Sequence, residues 1–437
     1  THLYSDPSNT SCSDDPVEGP LQIQWFGRPG PLEIINRHSR PMSTLFKNGR
    51  LFVPGDNRVI CVDAYNGTPL WKRYVPDSRV LGALKDCGTM AVAEDYIYVA
   101  AGQNALGLNV ETGVQEIVLE APQLVQGQDS KWGYLALVEN QIFGSGKKQT
   151  ASFTVLGRFN CDQFEEDFRE MVMSDYLFSL DRITGKELWA YKGVVFNNTI
   201  TIGDGYIYFI ESRNDIALND LDGRLRVDYF CDGSTYIVKL NKQTGKKEWE
   251  KEFKFPYEQI MYLAYSKDVL LVTGSYNKGS YANYALFAFD GKSGENLWSD
   301  NYQAGNSRWD NRPDKSTING SHGEQWQHPV IIGETVILPP YDFNLHTGKR
   351  GDLYLTRGGG GCGGLSGSAS NLFARGSNPK IYDITGEQSG APITQVSRPG
   401  CWINIIPAGN IVSIPEASSG CTCDYPIQTS FVFVSKD

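Results

Sequence analysis

Short apolar runs, broken by two-residue polar or glycine turns, set the rhythm of the chain. "TLFKNGRLFV" and "MAVAEDYIYVA" are typical. An apolar run, a turn and a second apolar run read as a two-stranded hairpin. Eight such turns stand out: Asn48-Gly49, Glu94-Asp95, Glu139-Asn140, Gly203-Asp204, Lys267-Asp268, Gly333-Glu334, Ser370-Asn371 and Gly409-Asn410. One stretch departs from this pattern. Arg158 to Asp175, "RFNCDQFEEDFREMVMSD", is rich in acids and is expected as a short helix or lid inserted between strands.

A second phrase follows the hairpins. "DAYNGTPLW" runs from Asp63 to Trp71, "DRITGKELW" from Asp181 to Trp189, "NKQTGKKEW" from Asn241 to Trp249, and "DGKSGENLW" from Asp290 to Trp298. Weaker copies are "NVETGVQEI" at Asn109, "NLHTGKRGD" at Asn344 and "YDITGEQ" at Tyr382. The Asp or Asn side chain starts a turn, the glycine takes a positive φ, and a new strand begins at once. The tryptophan is then placed to cover the space between neighbouring sheets. Propeller blades of four strands need about 40–50 residues. The pattern predicts an all-β fold: an eight-bladed β-propeller of four-stranded antiparallel blades, with seven blades as the alternative. It spans 21–437 after an N-terminal extension, 1–20. The last strand, in "IQTSFVFVSKD", is expected to close the ring beside "LQIQWF", so that no long edge stays open.

The phrase D-x-x-x-G-x-x-x-W after a hairpin resembles the repeat of PQQ-type β-propellers. That superfamily includes the quinoprotein alcohol dehydrogenases and the outer-membrane assembly factor BamB. The tail, "RPGCWINIIPAGN" through "SGCTCDYPIQTS", is similar to the end of exported PQQ-like repeat proteins of planctomycete-type bacteria. The resemblance covers nearly the whole chain and implies a fold more than a chemistry. In the dehydrogenases the quinone stacks on a vicinal cysteine pair, opposite a tryptophan and beside a calcium ion. This chain has no Cys-Cys pair, which speaks against PQQ; Cys421 and Cys423 are one residue too far apart.

Composition narrows the partners. The 437 residues carry a net charge of −10, which disfavours nucleic acid. No apolar run nears the roughly 18 residues of a membrane span. The chain begins Thr-His-Leu, and its nine cysteines include no CxxC pair. An exported setting (periplasmic, outer-surface or secreted) with some disulfides is expected.

In a propeller the residues entering each innermost strand form a ring at one channel mouth. Repeat equivalence places Arg37, His38 and Arg40 there, with Trp132, Trp326, His328, Arg357 and Arg398. The two Ser-Arg-Pro copies, at Ser39 and Ser397, would then adjoin. Arginine pairs with carboxylate, sulfate or phosphate, histidine exchanges protons near neutrality, and aromatic rings stack on sugars. The set suits an anionic glycan, and a uronate lyase acting by β-elimination is the concrete form. His38, His328 and Tyr341 are its candidate acid and base groups; Arg37, Arg40, Trp132, Trp326, Arg357 and Arg398 would bind substrate. His322, Glu324 and His328 share one strand parity and form a candidate metal site. Two other classes stay open: a non-catalytic, BamB-like scaffold with a protein partner, and a quinone- or metal-dependent oxidoreductase.

Overall fold

A computed structural model describes all residues except 36–38, 125–128, 155–169, 279–280, 305–325, 356–362, 377, 385–389, 401, 404, 416–426 and 437. Each of the eight predicted turns joins two antiparallel strands. Asn48, Glu139, Asp204, Lys267 and Asn410 take positive φ in these turns, as tight hairpins require.

Each hairpin grows into a four-stranded meander. The first comprises Leu45–Lys47, Arg50–Gly55, Arg58–Asp63 and Pro69–Tyr74. The second, fifth, sixth and seventh repeat this order, beginning at Met90, Ile260, Val330 and Ser366. The third begins at Lys131 and the fourth at Thr201; Val194 and Val195 pair with Ser212 and Glu211 and join them into one nine-stranded sheet. The last sheet takes strands Ile406–Ala408, Ile411–Ile414 and Ser430–Ser435 and completes itself with Leu21–Gly27, which pairs Leu21 with Ser435 and Gly27 with Ser430. The expected closure by the two ends of the chain is therefore observed.

The fourth strand is the most exposed of each meander. First strands such as Met90–Val92 and Val330–Ile332 are buried throughout. The fourth strand Pro69–Tyr74 is largely exposed. The first strands thus face a common core, where Leu45, Met90, Tyr262 and Trp326 belong to one cluster.

The recurring phrase locks neighbouring meanders. Asp63 Oδ1 accepts from the backbone N–H groups of Tyr65 and Asn66, which fixes the turn. Gly67, Gly113, Gly245 and Gly348 have φ between 66° and 74°. Each lies under the tryptophan of the preceding meander: a β-carbon on them would fall 2.5–2.6 Å from Trp25, Trp71, Trp189 and Trp298 respectively. Each of these indoles also donates to the carbonyl three residues before the glycine: Ala64, Val110, Lys242 and Leu345, at 2.8–2.9 Å. Trp25 comes from the closing strand, so the same lock seals the ring. Trp249 is the exception, 3.2 Å from a β-carbon on Gly294, and its buried indole N–H has no partner.

One expectation is corrected. Glu170–Asp175 is not helical but opens the long strand Glu170–Asp181, since "EMVMS" can bury a continuous apolar edge; the rest of the expected insertion lies outside the described residues. Cys12, Cys61, Cys87 and Cys231 are free thiols, not disulfide partners. Burial pushes the Cys61 thiol up to about 12 and that of Cys87 well above its ordinary range. The other five cysteines lie outside the described residues. The N-terminal extension is bonded to the ring, as described next.

Candidate functional site

The N-terminal segment threads the axis of the ring at the end that carries the hairpin turns. Its carbonyls accept from the backbone N–H of one first strand after another: Thr1 from Val92, Pro7 from Ile202, Ser8 from Tyr265, Thr10 from Ile331 and Ser11 from Gly367, at 2.8–3.2 Å. His2 Nε2 accepts from Leu137 N–H at 3.0 Å. Ser43 Oγ donates to the Leu3 carbonyl, and Asp15 accepts from Gly409 N–H at 2.6 Å. Every meander is touched. The segment is polar in sequence because its backbone and short side chains, not an apolar face, do the bonding.

His328 sits directly on this plug. Its ring stacks on Tyr4 at 3.8 Å and meets Tyr262 edge-on at 4.8 Å. Nδ1 lies 2.7 Å from the Pro329 carbonyl oxygen, so it carries the proton and donates; Ser11 Oγ is 3.0 Å away. The residue is 2% exposed, and burial lowers its pKa to about 3. It is a neutral packing group at pH 7 and is not poised as a general base.

His2 is lowered to about 3 by the same cause. The folded state therefore refuses protons that the unfolded chain accepts near 6.5, so the unfolded state binds more protons between pH 6.5 and 3. Stability falls as pH drops through that window, by up to about 1.4 kcal/mol per pH unit for each histidine. His328→Gln should flatten the slope of the unfolding midpoint against pH there. Chemical denaturation across the window checks this; a slope equal to the wild type's would count against the assignment.

At the opposite end, where chain segments enter the first strands, the cations are also used internally. Arg40 is 2% exposed, and its guanidinium lies 4.4 Å from the Trp326 ring centroid, with Lys85 Nζ at 5.9 Å. Such contacts contribute about 2 kcal/mol when desolvated. Lys147 and Asp86 form a buried ion pair at 3.4 Å, and Ser152 donates to the same carboxylate. Arg398 is 6% exposed at the entry to the last sheet. That sheet adjoins the first one: Tyr65 donates to the Gly409 carbonyl. Lys85 and Asp86 were visible in "ALKDCG" but lack the arginine and histidine that drew attention elsewhere.

Other candidates are placed elsewhere. Trp132 is 2% exposed; it donates to the Tyr134 carbonyl and packs on Phe178 at 4.9 Å, which leaves no free face for a sugar. Trp326 is fully buried. Tyr341 opens the third strand of its meander, two strands outward from the entry strand, beside Tyr302 at 5.1 Å and under Arg350 at 4.5 Å. Arg350 in turn pairs with Asp300. Arg37, His38, His322, Glu324 and Arg357 lie outside the described residues. Among the described residues no three His, Cys, Asp or Glu side chains gather as a metal site. Nor do those at the axis fit a stacked quinone, because the Trp326 ring is covered by Arg40 and by Lys85.

Comparison with known proteins agrees with this geometry. A profile of the family described as outer membrane protein assembly factor BamB matches residues 25–158. No curated protein matches. Among solved structures, a quinohemoprotein alcohol dehydrogenase from Pseudomonas putida aligns over 99% of this chain and 79% of its own, at 12% identity and a TM-score of 0.59. A europium-containing methanol dehydrogenase aligns over 99% of both chains, also at 12% identity and 0.59. BamB from Moraxella catarrhalis covers 90% of this chain and 82% of its own, at 14% identity and 0.40. No helix of the described residues is long and apolar enough to cross a membrane. Four-stranded meanders closed by both chain ends, a tryptophan-to-glycine lock repeated between them, and the likeness to the two dehydrogenase structures together identify the fold as a β-propeller, of which residues 25–158 match the BamB family model.

Proposed function

We propose that the chain is a non-catalytic, eight-bladed binding propeller of the cell envelope that holds a protein partner on its loops and insertions. The observation that carries this reading is the placement of the candidates among the described residues. His328 is stacked between Tyr4 and the core, Arg40 is laid on Trp326, and Tyr341 stands apart from both. Groups sealed in this way stabilise the ring and do not meet a substrate. The assembly-factor description of the matching family supports a scaffold. So does the excursion between Ser212 and Thr235. It carries two single-turn helices, Asp215–Leu218 and Val227–Phe230, and leaves Ile216, Leu218, Leu221 and Tyr229 exposed, Leu221 to 87%. Apolar groups exposed so close together mark contact surfaces.

A photo-crosslinking residue at Leu221 tests this. A discrete envelope protein should be captured; once purified, it should bind the wild type and not Leu221→Glu. If no such protein is captured, or if it binds Leu221→Glu equally well, the scaffold reading fails at this surface.

A second reading keeps the anionic glycan but moves it. A cleft of about 130 Å³ is lined by Arg79, Lys131 and Lys147. Arg79 pairs with Asp56, and Lys147 with Asp86; Lys131 has no ion pair among the described residues. Retardation of the protein in gels containing polygalacturonate, lost in Lys131→Glu, would favour this reading. Formation of unsaturated uronate in the same incubation would restore the lyase reading and overturn both.

A further inference from the structure

The closing strand Leu21–Gly27 differs from the other outer strands. Its sheet ends there, so its outer row of backbone groups has no strand beside it. Such an edge recruits a further strand unless charged side chains or proline block it. Every other outer strand longer than two residues carries at least one charge, as in "KEWEKE" and "RGDLY". "LQIQWFG" carries none.

A bulge gives this edge an apolar face. Ile23 pairs with Phe433 and Trp25 with Val432, which leaves Gln24 without a partner of its own. The extra residue turns Phe26, which pairs with Phe431, onto the same face as Ile23. In an unbulged strand, positions 23 and 26 would point to opposite faces. The face they share is that of Phe431 and Phe433, which are buried and stacked at 6.0 Å. The seventh meander packs on that face through Phe373 and Ile381, but its outer strand is only Ala391–Pro392. Ile23 and Phe26 carry the buried face out to its rim and stay 46% and 67% exposed.

We propose that two copies of this chain join edge to edge through Leu21–Gly27, antiparallel about a twofold axis, with Ile23 of each against the partner's Phe26. The bulge makes this register self-consistent. Positions 23 and 26 share a face, so pairing one with the other keeps both on one side of the joined sheet, and the twofold repeats the contact. Charge agrees with the direction. Arg28, at one end of the strand, is 78% exposed and approaches Glu33 only to 4.0 Å. Glu18, before the other end, is exposed. Antiparallel pairing sets Arg28 across from the partner's Leu21, three positions from the partner's Glu18. A parallel copy would bring like charges together instead.

Sedimentation equilibrium of the full chain tests this. With rising concentration the mass should climb from 48.5 kDa towards twice that value. Ile23→Lys and Phe26→Lys should each raise the dissociation constant at least about tenfold. Neither should move the thermal midpoint in dilute solution, since both side chains are exposed. Arg28→Glu should weaken the dimer about threefold, and combining it with Glu18→Arg should restore the affinity. Leu221→Glu, on the surface assigned to a protein partner, should leave the dimer intact. A chain still monomeric at about 100 μM, a dimer indifferent to both lysine substitutions, or one broken by Leu221→Glu would each overturn the inference.

Discussion

Removal of residues 1–15 should bring the ring close to unfolding. Five first-strand N–H groups lose their acceptors: those of Val92, Ile202, Tyr265, Ile331 and Gly367. Each unmet buried donor costs about 1–3 kcal/mol, less where water enters. Leu3 and Tyr4, at 5% and 4% exposure, leave the core with them, and each apolar side chain contributes roughly 1.5–3 kcal/mol. Even a discounted total of about 5–10 kcal/mol rivals the whole margin of a folded protein, about 5–15 kcal/mol. The truncated chain should be insoluble, or should melt at least ~10 °C lower. A synthetic peptide of residues 1–15 should restore the midpoint in proportion to the logarithm of its concentration. A truncated protein that melts like the full chain would show the plug to be decoration.

The second large effect is expected at Gly245. An alanine there meets two penalties. Its φ of +66° lies in the left-handed region, which costs a side chain about 1–2 kcal/mol. Its β-carbon would also fall 2.6 Å from Trp189, and relieving that overlap costs about 1–3 kcal/mol. Gly245→Ala should therefore lose about 2–4 kcal/mol in denaturant unfolding. Gly205 supplies the control: its φ is +83°, and nothing lies within 4 Å of its added β-carbon, so Gly205→Ala should lose only the backbone part. In a Trp189→Leu background the Gly245 penalty should shrink, because the two residues share one contact. Equal losses at Gly245 and Gly205 would mean that the tryptophan does not lock the turn.

The fold was legible because its signals are local. Each hairpin turn needs two or three residues, and each phrase needs nine, so neighbours in sequence carry the whole message. The interpretation of the axis failed for the opposite reason. Equivalence between repeats correctly puts Arg40, Trp326 and His328 at entries to first strands, but says nothing about what covers them. That depends on "THLYSDPSNTS", a stretch with no apolar periodicity that the sequence marks only as an N-terminal extension. Its order comes from bonds to residues up to 356 positions away, such as Ser11 to Gly367, and no local pattern records these. Trp132 was misplaced because Gly144, on the adjoining strand, leaves room for its ring; a β-carbon there would come within 2.9 Å of the indole. A small residue on a neighbouring strand turned an expected ligand platform into core.

The closure of the ring has a consequence for how the molecule is made. Leu21–Gly27 is made before every other strand of the ring and pairs with Ser430–Ser435, the last of them to be made; the donors that the plug ahead of it needs are spread over sheets all round the ring. The first strand of the ring to be made is the last to be paired, so the ring cannot be assembled blade by blade to a finished end. Contacts of such long sequence separation form slowly. Until then Leu3, Tyr4 and the unpaired edge of the first-made strand are open to wrong partners. A chaperone that shields the N-terminal twenty residues during synthesis would protect the step on which every other contact depends.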